Sequence, residues 1–315
     1  MKNSSSRRGR GVLDTPRHVL GEVLQPGPVD DGISPSAAAP LATATAPQSS
    51  GTVIALVLGT AERARIRASL RGRYDVQFAE RSFELVRFVR NAQLAVAAVI
   101  LETHDADARS TCDIVRQIAD SEMAPPVLAY CRLGAEHAGA IRSFVLAGVH
   151  ELVFEGIDDA GVALRAALES AQRTQIGERA ATALMMTLPP ALGAFVRYVT
   201  AHPNTQRVGD IAGALGYHRK TLVTHCAQAI APPPQELLAW CRLSVVAELL
   251  RTTSRTIESI AIQLDFPSDT ALRNMMKRYT GLRASDVRER GGMRCVIHAL
   301  SMDLRLRRGV QSAIA

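Results

Sequence analysis

The sequence predicts two folded parts of different class, an α/β domain followed by an all-α domain. Between residues 51 and 175, short apolar runs alternate with helical stretches, which is the pattern of βαβ units around a parallel sheet. Between residues 190 and 290, a pair of short helices with a break between them occurs twice, about 50 residues apart. A chain of 315 residues has room for about two such domains.

The first 50 residues have a different composition from the rest of the chain. They are rich in Ser, Pro, Gly, Ala and Thr and contain few residues that a core could bury. We therefore expect residues 1–50 to be a disordered arm. Its arginines, Arg7, Arg8 and Arg10, are not followed by an apolar run, so the arm is not expected to be a secretory signal.

Five short runs predict the strands of the α/β domain. They read VIALVLG, YDVQFAE, AVAAVILE, PPVLAYCRL and VHELVFEG. The first run is wholly apolar, as in a strand that is covered on both faces of its sheet. Helical stretches separate the runs and follow the last one, so residues 51–175 should form a five-stranded parallel sheet with helices on both faces.

The order and lengths of these elements resemble the receiver domain of response regulators, which has a flavodoxin-like fold. The residues that the resemblance would make reactive are replaced. Residues 58–60 read Leu-Gly-Thr where receivers keep the acidic pair that holds magnesium, and Glu102 stands at the phosphoacceptor aspartate. Cys131 and Glu155 replace the Thr or Ser and the Lys of the family. We therefore expect a receiver-like domain with no phosphoacceptor and no metal.

The role of such a domain stays open at this point. It can form a homodimer, it can bind a signal, or it can be a structural spacer. A phosphorylated response regulator would need its acidic pair from elsewhere in the chain. His104, Asp105 and Asp107 lie near Glu102, but acidic residues in a strand-to-helix loop commonly cap helices.

The remaining composition argues against an enzyme and against a membrane protein. No phosphate-binding loop, dinucleotide fingerprint, zinc-protease or hydrolase motif occurs in a usable context, so we expect no catalytic residue and no cofactor. The five cysteines are scattered and suit a reducing, cytoplasmic location. The longest apolar run, Leu94 to Leu101, is shorter than the ~20 residues that span a bilayer.

The second half of the chain carries a helix–turn–helix pattern at residues 259–282. Leu272, Met275, Met276 and Tyr279 form one apolar stripe on a helical wheel. Thr270, Arg273, Asn274 and Lys277 lie on the opposite face. Ile260, Ala261 and Leu264 supply a short helix upstream, and Pro267 and Ser268 break the chain between the two helices, with Ser268 placed to cap the second.

A similar pattern occurs at residues 210–229. Ile211 and Ala212 correspond to Ile260 and Ala261, while Leu222, Cys226 and Ala229 correspond to Leu272, Met276 and Tyr279. Between the two patterns, PPPQELLAWCRLSVVAELLRTT predicts one long amphipathic helix that starts after a proline stop. The single tryptophan, Trp240, lies on that helix and is most simply a core residue.

Charge separates the two halves of the chain. Residues 51–175 hold 14 Arg against 16 Asp and Glu, a net charge of −2. Residues 191–290 hold 13 Lys and Arg against 8 Asp and Glu, a net charge of +5, and the tail 291–315 has a net charge of +3. A basic second half favours a polyanionic partner.

Two helix–turn–helix units around one long helix resemble the AraC/XylS-type DNA-binding domain, over residues 190–290. The first half carries the family's turn as residues 212–216, its proline and helix arginine as Pro234 and Arg242, and Ala-Glu-Leu-Leu at residues 247–250. The family positions of the second half are occupied by Ile260, Ala261, Phe266, Ser268, Leu272, Lys277, Arg278, Gly281 and Arg288. As in the family, the second unit is one residue longer between its turn and its helix leucine.

The sequence departs from the family at several positions. Asp265 replaces the turn glycine, and Cys226 and Met276 replace a phenylalanine. Ala284 and Val287 stand where proline and tyrosine are common. Aspartate tolerates a left-handed backbone at some cost, so these departures concern how firmly each unit docks.

The resemblance implies a monomeric DNA-binding domain whose two recognition helices enter successive major grooves, about 34 Å apart. Asp269 is the least favourable of the implied contacts, because it accepts from a cytosine amino group but is repelled by phosphate. The implied base-reading residues are Arg219, Lys220, Val223 and Thr224 in the first helix and Asp269, Thr270, Arg273 and Asn274 in the second, with Lys277 nearer a phosphate.

The sequence therefore predicts a DNA-binding transcription regulator whose partner is double-stranded DNA. It consists of the arm, the receiver-like domain 51–175, a linker helix 176–189, the DNA-binding domain 190–290 and a basic tail 291–315. Arg305, Arg307 and Arg308 of the tail are expected to add phosphate contacts. A homodimer through the receiver-like domain, and RNA polymerase for an activator, are the further expected partners. The alternative is a signalling or scaffold protein that acts through protein contacts and has weak or lost DNA binding.

Overall fold

Five parallel strands form the first half of the described chain. The computed structural model describes residues 51–91, 96–119 and 124–314, with side chains described as far as residue 309. The predicted arm, residues 1–50, lies outside the described residues. The strands are β1 (Thr52–Leu56), β2 (Asp75–Ala79), β3 (Val96–Glu102), β4 (Val127–Cys131) and β5 (Glu151–Phe154). They lie in the order β2-β1-β3-β4-β5, and every pairing is parallel.

Helices cover both faces of this sheet. They are α1 (Thr60–Leu70), α2 (Ser82–Asn91), α3 (Cys112–Ala119), α4 (Ala138–Ala147) and the first half of α5 (Gly161–Met185). Alternate residues of β1 point to opposite faces, so Val53 and Ala55 pack with α1 and α5 whereas Ile54 and Leu56 pack with α2, α3 and α4. Because both faces are covered, the strands are apolar along their length. The predicted receiver-like fold is confirmed.

Helix α5 is longer than the sequence predicts, because it continues through residue 175 without a break. Its first half carries Leu164 and Leu168 into the core of the sheet, and its second half carries Ile176, Ala180 and Leu184 into the core of the helical part. The predicted linker helix is therefore the second half of α5. One continuous helix therefore contributes its first half to one core and its second half to the other.

The helical part is built around α9 (Pro234–Thr252). The other helices are α6 (Gly193–Ala201), α7 (Val208–Ala214), α8 (Arg219–Gln228), α10 (Ile257–Gln263), α11 (Asp269–Thr280), α12 (Ala284–Glu289) and α13 (Met293–Ile314). The sequence predicts α9 to be amphipathic, but α9 is buried on all sides, including its polar residues Arg242, Ser244 and Glu248. The reason is that neighbouring helices, among them α5, α6 and α13, cover it from every direction. The prediction of two helix–turn–helix units joined by a long helix is confirmed.

The predicted basic tail is largely the helix α13. Val296, Leu300 and Leu304 recur at four-residue intervals and are buried where α13 packs on α9, so the tail belongs to the core. Arg307, which we expected to contact phosphate, forms ion pairs of 2.6 Å with Asp303 and with Glu236 of α9. The hydrogen bond from its guanidinium to Asp303 raises the pKa of Arg307. Arg307 therefore fastens α13 to α9.

The two halves of the described chain pack together within one compact unit. Glu248 of α9 is buried and accepts from Arg179 of α5 at 3.0 Å and from Arg251 at 2.6 Å. Arg179 also donates to the carbonyl oxygen of Ala124 beside the sheet, at 2.7 Å. A buried carboxylate between two arginines thus joins the sheet, α5 and α9. No helix of the described ranges is both long enough and apolar enough to cross a membrane.

Candidate nucleic-acid interface

The two helix–turn–helix units share one turn geometry. In the first unit the turn residue Gly216 has a φ of 67°, and Tyr217 donates to the carbonyl of Ala212 at 2.8 Å. In the second unit Asp265 has a φ of 51°, and Phe266 donates to the carbonyl of Ala261 at 2.9 Å. Asp265 therefore adopts the left-handed backbone that we expected, although a β-carbon makes this conformation costly.

The second unit has one extra residue between the turn and the recognition helix. Helix α8 starts three residues after Gly216, whereas α11 starts four residues after Asp265. Each helix has a side-chain cap at its start. His218 Nδ1 accepts from the backbone N–H of Lys220 at 3.2 Å, and Ser268 Oγ accepts from that of Ala271 at 3.0 Å. The predicted cap at Ser268 is confirmed.

The inner faces of both recognition helices join the same core. Leu222 and Cys226 of α8, and Leu272 and Met276 of α11, are buried in it. The ring of Tyr279 stands edge-on to Trp240 of α9, with 4.9 Å between the ring centroids, an arrangement that aromatic pairs favour. Because both units pack on α9, the core sets their mutual orientation.

Arg242 of α9 holds the turn of the second unit, a role that the sequence did not indicate. Its guanidinium is buried, donating to the carbonyls of Pro203 at 2.8 Å and Leu264 at 2.6 Å. It also lies 3.9 Å from the ring centroid of Phe266, a cation–π contact. Burial lowers the pKa of Arg242. The sequence identified Arg242 only as a family position, since its partners are backbone carbonyls far away in the chain.

The loop before α7 also supports the strained turn. Asn204 donates to the carboxylate of Asp265 at 3.0 Å, and Gln206 donates to the carbonyl oxygen of Asp265 at 2.7 Å. The aspartate side chain is therefore an acceptor for this loop, a role that the glycine of the first unit cannot take. The loop 202–206, the turn and α9 form one hydrogen-bonded corner.

The predicted recognition residues lie on the outer faces of the two helices. All are exposed except Asp269, which is half-buried. Arg273 forms an ion pair with Asp269, one turn earlier, at 3.2 Å, so each side chain orients the other. The set comprises Arg219, Lys220, Val223 and Thr224 on α8 and Asp269, Thr270, Arg273, Asn274 and Lys277 on α11. Their contacts with DNA stay predictions.

At the carboxyl edge of the sheet, the glutamates that replace the receiver's reactive groups are paired with neighbouring groups of the fold. Glu102 accepts from the backbone N–H of Leu58 at 2.8 Å. Glu155 forms an ion pair of 2.5 Å with Arg132, and burial raises the pKa of the Cys131 thiol to about 11. These contacts join neighbouring elements at this edge and give the side chains a structural role.

Asp105, beside Glu102 in the sequence, caps the neighbouring elements. Its carboxylate is buried and accepts from the N–H and hydroxyl of Ser82 and from the N–H groups of Asp107 and Arg109. Burial alone would raise its pKa, but these hydrogen bonds lower the pKa of Asp105 to about 2. Within the described ranges, no three His, Cys, Asp or Glu side chains come together in a way that could hold a metal ion.

A buried cluster that the sequence did not indicate lies near this edge. Asp159 accepts from the hydroxyl of Tyr130 at 2.5 Å and pairs with Arg65 at 2.8 Å. These bonds outweigh the effect of burial and lower the pKa of Asp159. Tyr130 lies in β4, Arg65 in α1 and Asp159 before α5, so no local pattern could reveal the cluster.

The helical part matches a known family. Residues 211–290 match the family described as "Helix-turn-helix domain", which spans both units and α9. The C-terminal part carries a helix-turn-helix domain of the AraC type. No curated protein sequence matches the chain significantly.

Several solved response-regulator structures are similar to this chain. Full-length FixJ from B. japonicum has 11% identity and a TM-score of 0.36, covering 62% of this chain and 98% of its own. RcsB from Salmonella enterica serovar Typhimurium bound to promoter P1flhDC has 17% identity and a TM-score of 0.31, covering 62% and 98%. A signal receiver domain from Vibrio parahaemolyticus has 13% identity and a TM-score of 0.34, covering 42% and 96%. At these scores, the receiver-like fold rests on the strand order and connections of the chain itself.

The helix-turn-helix domain supports a DNA-binding role in transcription regulation. Such a role involves equilibrium binding and no chemical step, so the domain also favours a non-enzymatic protein. Double-stranded DNA is accordingly the partner that the domain supports.

Proposed function

We propose that this protein is a sequence-specific transcription regulator that reads two successive major grooves with α8 and α11. The observation that carries the proposal is that α8 and α11 pack their inner faces in one core around α9 and expose their polar outer faces. A helix of this kind fits the major groove of B-DNA. Two units on one rigid core can address two groove segments about one helical turn apart.

The electrostatics of the helical part agree with this proposal. Residues 191–290 carry a net charge of +5, and Arg219, Lys220 and Lys277 are exposed on the recognition helices. Phosphate neutralisation by such groups supplies the sequence-independent part of the affinity. The differing side chains of the two helices supply the sequence-dependent part, because each meets a different set of base edges.

The receiver-like domain is proposed to form the homodimer of the regulator. Val145 and Leu146 near the end of α4 are 56% and 76% exposed, and apolar side chains of this size are typical of contact surfaces when they are adjacent. If the regulator activates transcription, RNA polymerase is its further partner. Analytical ultracentrifugation of the full chain and of Leu146→Glu tests the dimer, which the charged variant should weaken.

The experiment that tests the proposal is selection of binding sites from random duplex DNA with the full chain. We expect two half-sites about one helical turn apart. Arg273→Ala should relax sequence preference in one half-site only, and Arg219→Ala in the other. Lys277→Ala should weaken binding to all sequences and reduce the slope of log affinity against log salt by about 1.

Arg71→Ala is a matched control, because Arg71 is exposed after the end of α1 and belongs neither to the two units nor to the proposed dimer surface on α4. It should leave both half-sites and the salt slope unchanged. If the full chain binds only weakly and without sequence preference, the proposal fails. The alternative, a scaffold protein that acts through protein contacts, then takes its place.

A further inference from the structure

A large cleft lies at the amino-terminal edge of the sheet, opposite the edge where receivers hold phosphate. Its volume is about 880 Å³, within the range of roughly 300–1,000 Å³ that is usual for small-molecule sites. One wall comprises the start of β3 and the residues before β4, and the other comprises the end of α9 with the segment that follows it. Helix α5 forms the floor.

Arginines dominate the charge of this cleft. Arg90, Arg173, Arg179, Arg251 and Arg255 line it. The acidic residue among the described lining residues, Glu169, is already paired with Arg73 at 3.0 Å. Buried Glu248 is shared by two of the five arginines. The described part of the lining therefore has an excess of positive charge, which favours an anionic ligand.

Three of the arginines are placed to receive that anion. Arg90 at the end of α2 and Arg173 on α5 are exposed, and Arg255 is half-buried beyond the end of α9. Among the described residues, none of the three forms an ion pair with a carboxylate. Guanidinium groups bind phosphate through paired, charge-assisted hydrogen bonds, so three from different elements suit a group with several anionic oxygens.

Apolar side chains supply a second part of the lining, alongside glutamines and threonines. Val86, Val96, Ile118, Ile176 and Leu249 contribute to the walls and floor. An inorganic anion alone would leave this surface against water, whereas an organic group would cover it. We propose that the cleft binds a nucleotide-sized organic phosphate, with the phosphates on the arginines and the organic part on the apolar side chains of the walls.

Such a ligand would contact the segment that places the second helix–turn–helix unit. The side chain of Arg255 donates to Gln263 at the end of α10, and its carbonyl oxygen accepts from Arg288 of α12. Arg288 also donates to the carbonyl of Leu250 at 2.9 Å. A phosphate on Arg255 therefore acts on the junction between α9 and α10. Through this junction, the ligand would change the affinity of the second unit for DNA. By thermodynamic linkage, DNA would change the affinity of the cleft for the ligand by the same factor. This consequence rests on the proposed function, whereas ligand binding does not.

The test is isothermal titration calorimetry of the full chain with ADP and with inorganic pyrophosphate at fixed ionic strength. We expect saturable binding to one site, tighter for ADP because its organic part then covers the apolar side chains of the walls. Arg173→Ala and Arg255→Ala should each weaken binding about tenfold, the loss expected for one charge-assisted contact. Arg173 is exposed, so its variant should fold normally even if Arg255→Ala does not.

The matched control is the double variant Arg219→Ala with Lys220→Ala, which removes two cations from α8 and leaves the cleft intact. Unchanged affinity in this control, together with weaker binding in the cleft variants, supports the proposal. Absence of saturable binding for both probes overturns it. Equal affinity in the wild type and Arg173→Ala, or a larger loss in the α8 control, also overturns it by assigning the anion to another surface. A failure to select DNA sites would leave this result unaffected.

Discussion

The two helix–turn–helix units have the same inner half and different outer halves. Both pack a leucine and a sulfur-containing side chain into one core, as Leu222 and Cys226 or as Leu272 and Met276. Outside, α8 begins with Arg219 and Lys220, whereas α11 begins with Asp269. The shared half meets α9 and is constrained by packing, while the outer half meets solvent and can diverge. Under the proposed function, two units that share one inner packing would therefore read two unlike half-sites.

The two recognition helices also differ in how their charged residues affect the stability of the helix itself. Cations at the start of α8 oppose the helix dipole, whereas Asp269 at the start of α11 complements it. The Asp269–Arg273 pair, with the acid nearer the amino end, adds a favourable i,i+4 contact. Helix α11 thus depends less on its surroundings than α8, whereas α8 places its two cations together at its start.

Among the substitutions, Arg242→Ala should cause the largest loss of stability and should affect the second unit more than the first. This change leaves the carbonyls of Pro203 and Leu264 without their buried donor and removes the contact with Phe266, which together should cost about 4 kcal/mol. Chemical denaturation measures the loss, and footprinting should show the second half-site released first. Exposed Arg71→Ala is the control. Equal loss of both half-sites would contradict a role confined to the second unit.

The cores of the units can be compared through Met276→Ala and Cys226→Ala. Both side chains are buried, with 0% and 2% exposure, but the methionine fills more volume. We expect a loss of about 3 kcal/mol for Met276→Ala and about 1 kcal/mol for Cys226→Ala. Thermal unfolding of both variants measures the difference. Similar losses would show that neighbouring side chains move into the space left by the Met276 side chain.

The turns can be compared by replacing the glycine of the first turn and introducing a glycine in the second. Gly216→Ala should cost about 1 kcal/mol, because φ is positive there and a β-carbon strains that conformation. No atom lies near enough to clash with this β-carbon, so the cost is purely conformational. Asp265→Gly should gain less than 1 kcal/mol, since relief of strain is offset by the lost bond from Asn204. Urea denaturation of both variants decides. A stabilising Gly216→Ala would contradict the account.

The caps should give the smallest effects. Ser268→Ala removes the acceptor for the Ala271 N–H and should cost about 1 kcal/mol. His218→Ala removes a longer bond to Lys220 and should cost about 0.5 kcal/mol. Differential scanning calorimetry can resolve the two, with Ser254→Ala, which lies outside both caps, as the control. A larger effect at His218 would show that α8 depends on its cap more than α11 does.

Much of the fold could be predicted from local patterns. Apolar runs such as VIALVLG, alternating with helical stretches, predicted the parallel sheet, and the repeated spacing of Leu222 and Leu272 predicted the two recognition helices. Side-chain periodicity follows directly from the geometry of strands and helices. For the same reason the exposure of the recognition residues could be predicted.

Long-range contacts escaped prediction. The roles of Arg242, Glu248 and Asp159 depend on partners at least 20 residues away in the chain. The predicted basic tail was placed correctly in sequence, but its core stripe of Val296, Leu300 and Leu304 went unrecognised because charge dominated the interpretation. Helix α5 likewise has no internal sequence break that separates its two roles.

The sequence by itself determined the class of each part, the positions of the two turns and the residues that face outward on α8 and α11. These properties depend on neighbours within one or two helical turns or along a single strand. Only the tertiary structure decided which charges stay available. It buried Arg242 and Glu248, paired Arg307 with Asp303 and Glu236, and left Arg90, Arg173 and Arg255 around one cleft. The physical reason is that a charge takes its role from its partners and its solvent exposure, and folding alone brings those partners together.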